Sequence, residues 1–235
     1  MDPAPSAPPW LSIVVPVLDE AAGIDAFLDA LAPLRDGGGI ELIVVDGGSA
    51  DGTPQRCMAH ALPPEHVLAG PRGRARQMNH GAAAAHGGAL LFLHADTRLP
   101  ADAAARVKDA LARRAWGRFD VRIDGRSAWL PVVATLMNGR SRLTGIATGD
   151  QAIFVRREAF DAAGGFPDQP LMEDVELSRR LRQGAGAPAC LRARVVTSGR
   201  RWDERGAWRT IRLMWWLRWR YWRGEAPERL ARAYR

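Results

Sequence analysis

Short apolar runs alternate with amphipathic stretches along the first hundred residues. Leu11–Val17 (LSIVVPV) is β-branched and apolar throughout, the pattern of a strand buried on both faces. Ile24, Phe27, Leu28, Leu31 and Leu34 then recur at helical spacing, which predicts a helix over 21–34. Three glycines at 37–39 break the chain before a second strand, 40–45 (IELIVV). The pattern next predicts a helix over 53–61, a short strand near Val67, an alanine-rich helix over 74–86 and a fourth buried strand over 89–93. Strand and helix in regular turn predict an α/β fold, a mostly parallel sheet covered by helices on both faces. After a helix over 100–114 the pattern changes. Residues 116–123 alternate, as in an antiparallel or mixed part of a sheet. A helix over 127–141, a strand over 152–155 and a strongly amphipathic helix over 173–183 follow. No internal repeat or linker interrupts the chain.

Composition narrows the class. With 235 residues, 47% of them hydrophobic and 25% charged, the chain suits one α/β domain with a sizeable core. Two cysteines, Cys57 and Cys190, exclude a disulfide framework and a four-cysteine zinc site, and suit a reducing, cytoplasmic setting. No apolar run reaches the ~18–20 residues needed to span a bilayer. Residues 1–10 have no basic segment followed by a long apolar one, so they read as a disordered leader rather than a signal peptide. The net charge of +7 belongs to the end of the chain. From Gly199 onward there are 11 arginines against 4 acidic residues, while the first 198 residues balance at 22 and 22. That segment also holds six of the nine tryptophans. Helical projection over 208–223 puts Trp208, Ile211, Trp215, Trp219 and Trp222 on one stripe, with Arg209, Arg212, Arg220 and Arg223 on a neighbouring one. Leu213, Met214, Leu217 and Tyr221 occupy the remaining side, and a last short helix is expected after Pro227. Two readings compete: packing on the domain or a dimer partner with only the Arg stripe in water, or an interfacial helix on an anionic membrane. A nucleic-acid partner is not expected, because no recognised binding module accompanies the basic patch.

Parallel α/β sheets bind ligands beyond the carboxyl ends of their strands. Here the first strand runs into Pro16-Val-Leu-Asp-Glu20, the second into Asp46-Gly-Gly-Ser-Ala-Asp-Gly-Thr53, and the fourth into His94-Ala-Asp96. Each feature alone has a structural reading: Asp19 or Glu20 capping a helix, Gly47 and Gly48 turning the chain. Acidic residues at three neighbouring ends need more, because crowded carboxylates repel unless a cation or donor stands among them.

In this order, VVPVLDE, VVDGGSADGT, FLHADT and MEDVELSRRL resemble the inverting family 2 glycosyltransferases of the GT-A fold. The HADT form and GDQAIFVRREAF are similar to a small bacterial subgroup of them. The resemblance covers roughly 11–202. It implies a nucleotide-binding half at 11–98, an acceptor half at 99–202 and a Trp/Arg-rich helical segment at 203–235. It further implies transfer of a sugar from a UDP- or GDP-linked donor to a hydroxyl acceptor, which membrane attachment would suit if lipid-linked. Pro16 and Glu20 would line the base and ribose pocket, and Asp46 would accept hydrogen bonds from the base. Arg74 would lie near the diphosphate, its alternative being a solvated helix face. Asp96 matches the last Asp of the family's DxD motif, the ligand of Mg²⁺ or Mn²⁺. His94 stands where the first Asp is usual, which puts metal affinity in question and leaves His94 to the ribose or phosphate. Asp174, in the Glu173-Asp174 pair, would be the general base; the alternative is that both carboxylates complement the helix dipole. Gly149 and Asp150 would position donor sugar and acceptor, unless Asp150 is a turn residue. Arg200-Arg201-Trp202 lacks the Gln and the spacing of the QxxRW element of processive members, so polymer synthesis is not implied.

Two rival functions remain at this level. Nucleotidyl transfer would need a glycine-rich basic loop after the first strand, which LDEAAGIDAF does not supply. A non-catalytic, membrane-attached nucleotide-sugar-binding module is the other, made conceivable by His94.

Overall fold

The computed structural model describes residues 8–234. In chain order the elements are β1 (Leu11–Val17), α1 (Ile24–Arg35), β2 (Ile40–Asp46), α2 (Thr53–Ala59), β3 (His66–Ala69), α3 (Arg74–Ala84), β4 (Ala89–Phe92), β5 (Thr97–Arg98), α4 (Ala103–Leu111) and β6 (Trp116–Asp124). They continue as α5 (Leu130–Thr144), a 3₁₀ turn (Gly149–Gln151), β7 (Phe154–Arg156), α6 (Arg157–Ala162), α7 (Glu173–Ala185), β8 (Ala189–Ser198), α8 (Arg200–Arg205), α9 (Ala207–Trp222) and α10 (Pro227–Tyr234). Eight strands form one sheet in the order β3-β2-β1-β4-β7-β6-β8-β5. The β3-β2-β1-β4 block is parallel, β7 runs against both β4 and β6, β8 is parallel to β6, and β5 runs against β8.

Two apolar cores lie on opposite faces, fed by alternate residues of the same strands. Leu11, Ile13, Val15 and Val17 of β1 face α1, α4 and α5, through residues such as Leu28, Val107 and Leu130. Val14, with Ile43 and Val45 of β2, faces α3, α6 and α7 through Met78, Phe160 and Leu177. Burial on both faces is why the strands read as unbroken apolar runs. A third, small cluster joins Met172 to Leu217 of α9 and Leu230 of α10.

The pattern of apolar positions did not reveal β5, β8, α6 or α8. In β8 the ladder with β6 shifts register between Phe119 and Asp120, which leaves Arg192 and Ala193 out of the pairing and breaks the alternation. The leader expected at 1–10 falls largely outside the described residues. Trp10, assigned to it, belongs to the fold: its amide bonds to Gly39 at 2.9 Å and its ring sits under Lys108.

A buried polar network ties β6 to the segment that carries the 3₁₀ turn. Arg118, fully buried, pairs with Asp120 and donates to the Asn138 carbonyl at 3.2 Å. The other Asp120 oxygen accepts from Arg142 at 2.5 Å. The Asn138 side chain clasps the Val121 backbone at 2.9 and 3.0 Å and accepts from Gln151 at 3.3 Å. Removing one member of such a pair leaves an uncompensated buried charge. Asp120→Ala is therefore expected to cost about 3–5 kcal/mol in denaturant unfolding. Replacing Arg118 and Asp120 together with Met and Leu should recover most of it. A silent Asp120→Ala would show that Arg118 reaches water.

Candidate active site

The parallel block opens a crevice at the carboxyl ends of β1, β2 and β4. The loops after β1 and β2 are stitched together across it. Asp19, in a left-handed conformation (φ 54°), donates its amide to the Ser49 hydroxyl and accepts the Ala50 amide, both at 2.8 Å. The Glu20 amide donates to Thr53 at 2.9 Å and the Ala21 amide to Asp51 at 2.8 Å. Asp46 is buried and closes its own loop, accepting the amides of Gly48 and Ser49 and the Ser49 hydroxyl. Gln77 of α3, which sequence reasoning passed over, donates at 2.8 Å to the last carbonyl of β1, that of Val17, and to the penultimate one of β2, that of Val45. Its isolation on an apolar helix face was the signal. Pro16, half-buried, pairs with Val45 one step before the strand ends.

The second half of the crevice is built around His94. Its ring lies flat against Gly149, where a Cβ would stand 2.6 Å from Cε1. Nδ1 is 3.4 Å from an Asp150 oxygen, and Nε2 is buried without a hydrogen-bond partner. The Gly149 amide donates to Asp174 Oδ2 at 2.7 Å, while Oδ1 accepts the Val175 amide at 2.7 Å. Met172, in a left-handed conformation (φ 65°), turns the chain so that Glu173 and Asp174 open α7. The floor is closely packed: Arg74, Phe92, His94, Gly149, Glu173 and Asp174 border a cavity of about 10 Å³, room for about one water.

The carboxylates converge through these contacts. Glu20 is pushed above its ordinary range by burial, with Arg200 and Arg74 opposing and Asp96 and Asp51 adding to the rise. Glu173, buried, is raised by desolvation and by the adjacent Asp174, with Arg74 and His94 opposing. Arg74, exposed at the start of α3, is thus sensed by carboxylates of both halves. Asp96 is exposed at the rim, two residues beyond His94. His94, Gly149, Glu173 and Asp174 thus share one small cavity with Arg74, and Glu20 lies within electrostatic reach of Asp96 and Asp51. Arg200, set aside in the sequence because its motif is incomplete, lies within electrostatic reach of Glu20.

Glu41, His66 and His86 form a separate group whose ligand atoms lie within 4.8 Å of one another. Glu41 and His66 stand at the amino ends of β2 and β3, and His86 precedes β4. The group therefore lies at the opposite end of the sheet, roughly 16 Å along β2 from Asp46.

The Glycosyl transferase family 2 model matches residues 12–163. Glucosyl-3-phosphoglycerate synthase of Mycobacterium tuberculosis is 36% identical over 95 residues, 37% of this chain and 28% of that protein. A PGL/p-HBAD biosynthesis glycosyltransferase of Mycobacterium bovis is 40% identical over 108 residues, 43% of this chain and 41% of that protein. The matches thus span less than half the length of these curated relatives. Among solved structures, mannosyltransferase PcManGT from Pyrobaculum calidifontis, in complex with GDP-Man and Mn²⁺, superposes with a TM-score of 0.68. It is 27% identical, over 96% of this chain and 68% of that one.

The contact of Gly149 with His94 can be probed without any ligand. Gly149→Ala is expected to cost about 1–3 kcal/mol by overpacking. Gly139→Ala, at a helix position with open space around it, should gain about 0.5–1 kcal/mol. Both are read from denaturant midpoints. Equal stability of the Gly149 variant and the wild type would mean that the His94 ring is not held there.

Proposed function

Since the chain belongs to glycosyl transferase family 2, we propose that it moves a sugar from a nucleoside diphosphate sugar to a hydroxyl acceptor. The reaction is a single displacement with inversion, and Asp174 is the general base. The observation that carries this reading is the Gly149–Asp174 bond. It fixes a carboxylate, oriented by two backbone amides, on the crevice floor beside His94. As the acceptor oxygen bonds to the anomeric carbon, the bond from that carbon to the diphosphate breaks, and the hydroxyl proton passes to Asp174. A carboxylate suffices because the hydroxyl acidifies as the new bond forms, and placement outweighs resting pKa. Pro16, Glu20 and Asp46 lie on the nucleotide side of this scheme, and Arg74 faces the diphosphate. Gly149 and Asp150 present the donor sugar to the acceptor. Asp46 reads the base through lone pairs that its own loop leaves free, or by giving up the Ser49 hydroxyl.

The donor set fits a hard divalent ion that arrives with the nucleotide. Asp96 is an exposed oxygen ligand, and ions such as Mg²⁺ bind through one or two carboxylates plus substrate phosphates. The unpartnered Nε2 of His94 is left for a ribose or phosphate oxygen. Asp96 would hold Mg²⁺ or Mn²⁺, which supplies charge neutralisation on the departing diphosphate.

Transfer and donor hydrolysis by the purified protein with UDP- and GDP-sugars and Mn²⁺ test the scheme. Asp174→Asn keeps an acceptor for the Gly149 amide. It is expected to lower transfer about 10²–10⁴-fold while nucleotide binding stays within a few-fold. Loss of both together would remove Asp174 from the role of base.

We further infer that one face of the molecule rests on an anionic membrane surface. No helix among the described residues is long and apolar enough to cross a bilayer. α9 packs its Leu213, Met214, Leu217 and Tyr221 side against Leu171, Met172 and Val175, with Thr210 buried and Ile211 resting on the large core. Packing thus leaves more than arginine in water. Trp208, Trp215, Trp219 and Trp222 are exposed, between 52% and 80%. Trp129, Val132, Leu136 and Leu143, at helical spacing along α5, are exposed as well. The Trp129 and Trp208 rings, 4.6 Å apart, join the two stripes. Exposed tryptophans bordered by Arg209, Arg212 and Arg223 match a headgroup layer of negative charge. The protein should sediment with phosphatidylglycerol-containing vesicles and not with pure phosphatidylcholine. Serine at 215, 219 and 222 together should abolish that. Binding unaffected by the triple substitution, or no binding to either vesicle, would refute the assignment.

A further inference from the structure

Two guanidinium groups lie within electrostatic reach of Asp174 and form no salt bridge with a described carboxylate. Arg140 lies in α5, two residues after the clasped Asn138, so its backbone is fixed relative to the 3₁₀ turn. Its Nη2 is buried and makes no hydrogen bond. Burial pulls its pKa down to about 10, Arg218 pulls the same way, and Asp174 opposes. Arg218 follows Leu217, which is fully buried against Met172, two residues before Asp174. It too is lowered by burial, with Asp174 and Asp150 opposing. Among the described residues no carboxylate lies within 4 Å of either group. The nearby Asp120 is already taken by Arg118 and Arg142.

Guanidinium does not lose its proton near neutrality, so two desolvated positive charges share this wall. Such an arrangement is costly unless an anion completes it. The nucleotide's own phosphates are not the obvious occupant. The cations sensed by Glu20 at the nucleotide end are Arg200 and Arg74. Arg140 and Arg218 interact instead with Asp174 and Asp150. Arg74 borders the same small cavity as Asp174 and is felt by Glu20 and Glu173 alike, so the nucleotide end has cations of its own, and Arg140 and Arg218 are additional to them.

We propose that Arg140 and Arg218 form an anion subsite for the acceptor. The hydroxyl substrate carries a phosphate or carboxylate group, whose pairing with the two guanidiniums delivers the hydroxyl to Asp174. The proposal rests on the reading of Asp174 as base. Planar guanidiniums suit this task, since each can present two parallel N–H donors to an oxyanion. A soluble phosphate ester and a lipid-linked phosphate offer the same chemistry, and the experiment separates them.

The probes are added to protein loaded with GDP or UDP and Mn²⁺, and binding is followed by calorimetry. Glycerol 3-phosphate is compared with glycerol, and a polyprenyl phosphate in detergent micelles with the corresponding polyprenol. At least one phosphorylated probe is expected to bind at least about tenfold more tightly than its neutral counterpart. Which pair shows the difference identifies the source. Arg140→Gln/Arg218→Gln should erase the preference, and Arg140→Lys/Arg218→Lys should keep part of it. Nucleotide binding and donor hydrolysis should remain within about twofold of wild type. The Gln pair should also raise the melting temperature, because it removes two unpaired desolvated charges; a merely structural role predicts a fall. Equal binding of charged and neutral probes, or a preference that survives the Gln pair, overturns the proposal. If charged probes bind through these arginines but no nucleotide binds or is hydrolysed, the transferase reading fails and the anion subsite stands.

Discussion

The amide of Gly149 reaches the Asp174 carboxylate only because three independent pieces of the fold meet there. The Asn138 clasp brings the 3₁₀ turn up to β6, the left-handed Met172 aims the first turn of α7, and β4 ends with the His94 ring where a larger residue than glycine would stand. A hydrogen bond of this kind between a charged acceptor and a backbone donor is stronger than a neutral one. Its main effect here is geometric. It closes the segment of the 3₁₀ turn onto the start of α7, so that groups as much as a hundred residues apart in the chain border one small floor.

The first half of the chain was legible because its physics is local. Parallel strands buried on both faces announce themselves as apolar runs, and the loops that follow them carry the Asp, Gly and Ser residues that turns require. The second half is assembled from non-local contacts. β8 hides behind interleaved arginines and a register shift, and the Arg118–Asp120–Arg142 cluster has no signature beyond charges in a mixed strand. Some signals were present but unread. Gln77 interrupts the apolar face of α3 to tie down two strand ends. Arg218 lies ~150° round its helix from the other arginines, on the border of the packing face, which an arginine placed only for solvation would avoid.

Charge in the Trp/Arg segment likewise divides by direction. The segment's arginines look like one basic patch when counted, yet the helix projects them two ways. Arg209, Arg212 and Arg223 face water beside the tryptophans, and Arg218 turns inward toward Asp174. Net charge alone could not distinguish arginines that face water from one that is half-buried.

The small cluster of Met172, Leu217 and Leu230 has a further consequence. It roots the α9–α10 hairpin beside the start of α7, while Ile211 of α9 also rests on the large core under α1, α4 and α5. Exchanging that hairpin for another would replace an inward-facing charge and an outward-facing aromatic stripe in one event, while leaving β1, β2 and β4 undisturbed. The architecture thus makes the hairpin a module that can change while the parallel strands stay as they are.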